Sequence, residues 1–258
     1  MIPIAILTLH RLREAAFLML LAVGLGLSYF FAGLGSFASD ILGREMLLGA
    51  GSTTGTTLLG TLLLVLLGGL IAIFSAAAEI PRDISTRLVA VLLSKPVSRQ
   101  RYLWGKFLGT LGVVMILTVV WLTSMLLVRH FVVRDATEPL TWGVALRQYW
   151  CLLFLAPVTA VATAVSCFFS DVVSMIVSSV YVGLCFVGGI MPVVIALVGD
   201  LLVGKLLLLP YYCVPNLAYF FHGYASLWQY LALAGYSLAI CGVSLSLARL
   251  RFEHGDVF

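Results

Sequence analysis

Six uninterrupted apolar runs of helix length dominate the sequence, near Ala15 to Leu34, Thr57 to Ala78, Phe107 to Val128, Tyr149 to Phe169, Val172 to Val198 and Gln229 to Ala248. A helix rises 1.5 Å per residue, so about 20 apolar residues cross the roughly 30 Å hydrocarbon core of a bilayer. Inside lipid the backbone must satisfy its own hydrogen bonds, which leaves helices or closed barrels. A barrel strand alternates in polarity over about 10 residues, and these runs are apolar throughout over twice that length. The pattern predicts an all-α polytopic membrane protein of six transmembrane helices, forming a single transmembrane domain over residues 1–258. Composition agrees: 10% of residues are charged and mean hydropathy is +1.13, where soluble domains carry about a quarter charged residues. No small-x-small cleavage site opens onto a soluble mature domain after the first run, so that run is read as a retained span.

The basic residues between the runs set an orientation. With the N-terminus inside, the cytoplasmic segments hold Arg11, Arg13, Arg82, Arg87, Lys95, Arg99, Arg101, Lys106, Arg249 and Arg251. The outer segments hold Arg44, Arg129, Arg134, Arg147 and Lys205. The positive-inside rule therefore predicts cytoplasmic N- and C-termini, which an even number of spans requires. The net charge of +4 is absorbed by this asymmetry, and no nucleic-acid surface is expected. Cys151, Cys167, Cys185 and Cys241 fall inside spans, with neither a disulfide framework nor a metal-ligand spacing. They read as small packing residues.

No catalytic, nucleotide-binding or zinc motif is found in the chain. No ionisable residue is expected deep in a span, Glu79 and Asp171 being the nearest at span ends. Ion-coupled carriers usually keep such a residue near the midplane. Secondary transport is disfavoured on that ground, and energy is expected to come from another chain.

The segment Glu79 to Lys106 has the strongest local pattern. Ile84, Leu88, Val91 and Leu92 recur at helical spacing among Asp83, Ser85, Thr86, Arg87 and Ser94, predicting a short amphipathic helix capped by Asp83 and limited by Pro96. Glu79 and Arg82, three apart, are spaced to pair on one helix face. Two readings stand: a basic loop that only enforces topology, or a helix that docks in the groove of a partner.

Glu79, the amphipathic stretch, the turn Leu93-Ser94-Lys95-Pro96-Val97-Ser98-Arg99 and the pair Gly105-Lys106 resemble, in order, the permease subunits of ABC-2-type ATP-binding cassette transporters. Leu209-Pro210 and Pro215-Asn216-Leu217, followed by Tyr219-Phe220, are similar to the region before that family's sixth helix. The basic N-terminal face of His10, Arg11, Arg13 and Glu14 also fits, and the likeness is greatest to small stand-alone permeases such as the one serving nitrous oxide reductase maturation. The resemblance implies a non-enzymatic permease in a bacterial cytoplasmic (inner) membrane. It would be paired with a second permease copy and with a cytosolic ABC ATPase subunit that holds the ATP and Mg; this chain would bind no cofactor itself. It makes the loop helix a coupling helix, with Glu79, Arg82, Ile84, Arg87, Leu88, Leu92, Lys95 and Arg99 as ATPase-coupling residues. The basic members suit ATPase carboxylates and anionic headgroups equally.

Between the fifth and sixth runs, Gly199 to Trp228 is too long and apolar for a simple connection and predicts re-entrant outer helices, with Pro210, Pro215, Asn216 and Tyr219 as an outer gate. The aromatic residues there also fit an interfacial belt or a platform for an extracytoplasmic partner protein. Thr159, Thr163, Ser166, Ser174 and Ser178 fit either close helix packing or a cavity lining. A pathway without charges suits export of an apolar or amphipathic substrate. The alternative is mechanical transmission of ATPase motion to the outer partner, with no cargo moved.

Overall fold

The computed structural model describes residues 19–30, 53–86, 98–133, 142–187, 219–220 and 227–254. Every regular element among them is helical: α1 (Met19–Phe30), α2 (Thr53–Ser85), α3 (Arg99–Val128), α4 (Trp142–Trp150), α5 (Leu155–Val165), α6 (Asp171–Val187) and α7 (Leu227–His254). A π turn, Arg129–Val133, extends α3, and a 3-10 turn, Cys151–Phe154, joins α4 to α5. Among the described residues four helical stretches are long and apolar enough to cross a membrane: Gly60–Ser85, Arg99–Phe131, Ala145–Val165 and Leu227–Arg251. Met19–Phe30 and Asp171–Cys185 are shorter apolar helices. The chain is an integral membrane protein.

Helices α2 and α5 form the centre. The first packs on α3, α5 and α6, and the second also on α3 and α7. The main core runs along Leu64, Ile73, Leu117, Trp121, Phe154 and Leu155. Ile80, Tyr102, Leu103, Ala164 and Ala248 form a second cluster, where α2, α3, α5 and α7 meet at one end. Trp150 stacks near Tyr230 at 5.0 Å and Phe154 meets Phe220 edge-on at 5.5 Å, toward the other end.

The sidedness of α6 shows which solvent the fold is built for. Val172, Ile176, Val180 and Leu184 face outward, whereas Ser174, Ser178, Val182 and Cys185 are buried. In water that arrangement would be inside out. In lipid the acyl chains are as apolar as leucine, so large side chains gain little by turning inward and small ones allow the helices to approach. Three buried hydroxyls of α5 and the turn after it bond back along the chain: Thr159 donates to Leu155 O at 2.7 Å, Thr163 to Thr159 O at 2.8 Å and Ser166 to Thr163 O at 2.7 Å. For these three the contacts are those of packing. The four described cysteines are free thiols, three of them buried.

Two glycines mark close approach. A Cβ at Gly24 would fall on the indole ring of Trp121. One turn on, the Ser28 hydroxyl shares its proton between Gly24 O at 2.7 Å and Trp121 O at 3.0 Å, pinning α1 to α3. A Cβ at Gly68 on α2 would lie 2.6 Å from Thr118 Oγ1 on α3. A methyl group at Gly26, in contrast, meets nothing within 4 Å. Gly24→Ala should therefore cost about 1–3 kcal/mol through overpacking, and Gly26→Ala should be close to neutral. Thermal melting of the two variants in detergent tests this, and equal melting temperatures would contradict the α1–α3 contact.

Candidate functional site

Both helices that flank the segment from Thr86 to Ser98 outrun the apolar stretches on which they are built. Helix α2 has 33 residues and α3 has 30, or about 50 and 45 Å, against a hydrocarbon core of roughly 30 Å. Helix α2 continues through Pro81 to Ser85. Three donors meet at the Arg82 carbonyl where it ends: Thr86 N at 3.0 Å, Ser85 Oγ at 2.8 Å and Thr86 Oγ1 at 2.9 Å. The amide makes the last i+4 bond of the helix, and the two hydroxyls bond back onto the same carbonyl as the chain leaves it. Helix α3 begins with Ser98 as its N-cap, in extended conformation, its hydroxyl accepting Arg101 N–H at 3.3 Å. This gives a physical role to the serine in the Lys95-Pro96-Val97-Ser98-Arg99 turn, because a side-chain oxygen at that position satisfies one of the free N–H groups of the first turn.

Past the apolar stretches the two helices are joined by charge. Glu79 and Asp83 are one turn apart on α2, and Tyr102 and Lys106 one turn apart on α3, so each pair shares a helix face. Lys106 Nζ lies 2.8 Å from Asp83 Oδ2 and 3.5 Å from Glu79 Oε2. Tyr102 donates its hydroxyl to the same Asp83 Oδ2 at 2.8 Å. Asp83 is 0% and Lys106 1% exposed, and Glu79, at 14%, is on the wetter side. Ile80 and Leu103, both buried, and half-buried Ile84 pack around the group.

This cluster corrects three expectations. Asp83 is not the cap of a loop helix; it lies within α2 and faces α3. Lys106 is not a loop cation; it is buried eight positions into α3. Glu79 is bridged to Lys106, across the helix pair, whereas Arg82 is exposed. Lys106 and Arg129 are both buried, at 1% and 7% exposure, and stand just outside the two ends of the apolar run Phe107 to Val128.

Of the remaining sequence-predicted residues, Ile84 joins the packing around the cluster, and Arg99 is the half-buried first residue of α3. Arg87, Leu88, Leu92 and Lys95 lie outside the described residues. So do Pro210, Pro215 and Asn216 of the expected outer gate, and with them the re-entrant segment. Tyr219 is partly exposed beside buried Phe220, whose carbonyl lies 3.1 Å from the Cys151 thiol. Among the described residues no three His, Cys, Asp or Glu side chains converge as a metal site.

The cluster is chemically a structural clamp. Its two acidic side chains engage Lys106 and, at Asp83, the Tyr102 phenol, and it sits at the ends of the helices adjoining the segment that carries the sequence motif. Residues 50–250 match the family described as ABC-2 family transporter protein. The chain belongs to this family. No curated protein matches it. Membership makes it the membrane component of an ABC transporter and implies partnership with an ABC ATPase subunit; such a permease is normally non-catalytic itself.

The clamp sets a stability test for this ABC-2 permease. Removing one partner of a buried ion pair leaves an uncompensated charge and costs about 3–5 kcal/mol, whereas replacing all the charges together is often close to neutral. Lys106→Met should therefore lower the melting temperature in detergent sharply. The triple variant Glu79→Gln, Asp83→Asn, Lys106→Met should recover most of the loss. A Lys106→Met protein that melts with the wild type would exclude the clamp.

Proposed function

We propose that the chain is the permease of an ABC exporter, with six transmembrane spans and both termini in the cytoplasm, in which the segment between α2 and α3 receives motion from a separate ATPase subunit. The carrying observation is the clamp of Glu79, Asp83, Tyr102 and Lys106. It ties together the two helices that enter and leave that segment. A displacement of the segment is then passed to α2 and α3 as a pair, and through α2 to α5 and α6, on which it packs.

The orientation is supported by the distribution of cations. Arg82, Arg99, Arg101, Lys106, Arg249 and Arg251 gather at the end where α2 and α7 finish and α3 begins, with Arg129 and Arg147 toward the other end. That bias matches the positive-inside rule for a cytoplasmic face. Arg82, Ile84, Arg87, Leu88, Leu92, Lys95 and Arg99 form the docking surface in this reading, and Glu79 belongs to the clamp behind it. Two permease copies and two ATPase subunits complete the assembly, with ATP and Mg held by the ATPase. The mostly uncharged helix surfaces favour an apolar or amphipathic cargo. Pro210, Pro215, Asn216 and Tyr219 would close the path on the outer side.

Coupling requires that the ATPase contact the two permease states differently. Leu88→Asp should abolish co-purification of the ATPase, because a carboxylate would enter an apolar contact. Asp83→Asn should retain the ATPase but lower permease-stimulated ATP hydrolysis several-fold, through a loosened clamp. ATP turnover by the purified complex in lipid nanodiscs measures both effects. Wild-type turnover in both variants would defeat the coupling assignment. Turnover governed by a co-purifying extracytoplasmic protein, with no cargo moved, would favour mechanical transmission instead.

A further inference from the structure

A cleft lies at the charged end between the first turns of α3 and the last turns of α7, on a different side of α3 from the clamp. It encloses about 110 Å³. Leu103, Trp104, Gly242 and Leu245 line its apolar part, and Gln100 and Arg249 stand at its mouth, where Arg249 Nη1 donates to Gln100 Oε1 at 3.3 Å. Arg101 and Arg251, both exposed, lie on the same two helix ends. Glu79 and Asp83 are engaged with Lys106, and Glu253 stands one turn beyond Arg249 on α7. Arg101, Arg249 and Arg251 outnumber that carboxylate on the two helix ends, which leaves the mouth net positive above an apolar slot.

We propose that this cleft binds an anionic glycerophospholipid, with the phosphate at Arg249 and Gln100 and an acyl chain lying over Gly242 and Leu245. Three features select this occupant. The guanidinium carries five N–H donors in a planar fork that matches phosphate oxygens, while the Gln100 amide adds polar capacity beside it. The cleft sits where the apolar lengths of α3 and α7 give way to arginine, which is headgroup depth, and Trp104 supplies the amphipathic ring typical of that depth. The same two helices also carry outward-facing apolar side chains at this level, Leu247 and Leu250 on α7 and Leu108 on α3 being 53%, 54% and 43% exposed. A soluble anion would use the mouth and leave the slot unfilled. The site requires neither the ATPase-coupling reading nor a particular leaflet.

Native mass spectrometry of the full-length chain with its co-purifying subunits tests the assignment, by titration with phosphatidylglycerol or phosphatidylcholine of matched acyl chains. The wild type should retain phosphatidylglycerol in preference. Arg249→Gln should reduce that retention about fivefold, in line with one basic side chain at a headgroup. Arg251→Gln, which removes the same charge outside the cleft, should not. Gly242→Leu should also reduce retention by filling the slot, since a Cβ at that position meets nothing within 4 Å and the rest of the side chain would extend into the cleft. Equal retention of the two lipids would overturn the proposal, as would equal losses in Arg249→Gln and Arg251→Gln, or displacement of the lipid by free glycerol phosphate. Loss of a permease or ATPase subunit in Gly242→Leu with lipid retention unchanged would make the cleft a protein seam and equally overturn it.

Discussion

A single ammonium group, Lys106, stands between two carboxylates of the neighbouring helix, and the geometry of the charged end follows from that arrangement. Coulomb attraction is strong where water is excluded, and each ion is costly to leave alone there. Asp83 has no exposure and Lys106 almost none, so separating α2 from α3 at this end would strand charges in a poorly solvated space. Tyr102 adds a second donor to the same carboxylate oxygen. Pairs spaced one helical turn apart on both partners fix rotation as well as distance. The helix pair is consequently stiff where it meets the segment from Thr86 to Ser98.

Farther along, the contact between the same helices is of another kind. Gly68 meets Thr118 by van der Waals approach, and the Thr118 hydroxyl is already spent on Val114 O at 2.7 Å. Packing of this sort holds helices close by shape alone, with no charged contact between them. The same is true of α6, whose buried face is largely small and whose large residues face outward. A bundle that is ionically clamped at one end and sterically packed beyond it suits rigid-body rocking about the clamped pair, which is the motion that the proposed coupling requires.

The sequence made the class of the fold legible because lipid imposes a length and a polarity that no other environment does. It was less informative about where the helices end. The limits of the apolar runs at Ala78 and Phe107 mark where side chains can face lipid, whereas α2 runs on to Ser85 and α3 begins at Arg99. Treating the first kind of boundary as the second placed Glu79, Asp83, Tyr102 and Lys106 in a loop. There Asp83 resembles a cap and Lys106 a topology signal. Their signal was present in the spacings Glu79-x-x-x-Asp83 and Tyr102-x-x-x-Lys106, each one turn of helix. What the sequence could not supply was the register between the two helices, because that depends on the Gly68–Thr118 approach and the Ile80, Leu103 and Ala164 packing.

The position of the clamp also explains why a charged group is tolerated in so apolar a chain. An ion pair at the middle of a span would face its full desolvation penalty with no means of relief. At the helix ends Glu79 keeps partial contact with the surroundings while Asp83 and Lys106 are sealed by Ile80, Leu103 and half-buried Ile84. The cost of burial is thus shared between a wet and a dry carboxylate, and the attraction is strongest at the dry one, where the distance is shortest. A push on the segment beyond Ser85 would first strain the 2.8 Å Asp83–Lys106 contact. Because that contact resists opening, the displacement is carried into the helices instead of being absorbed at their ends.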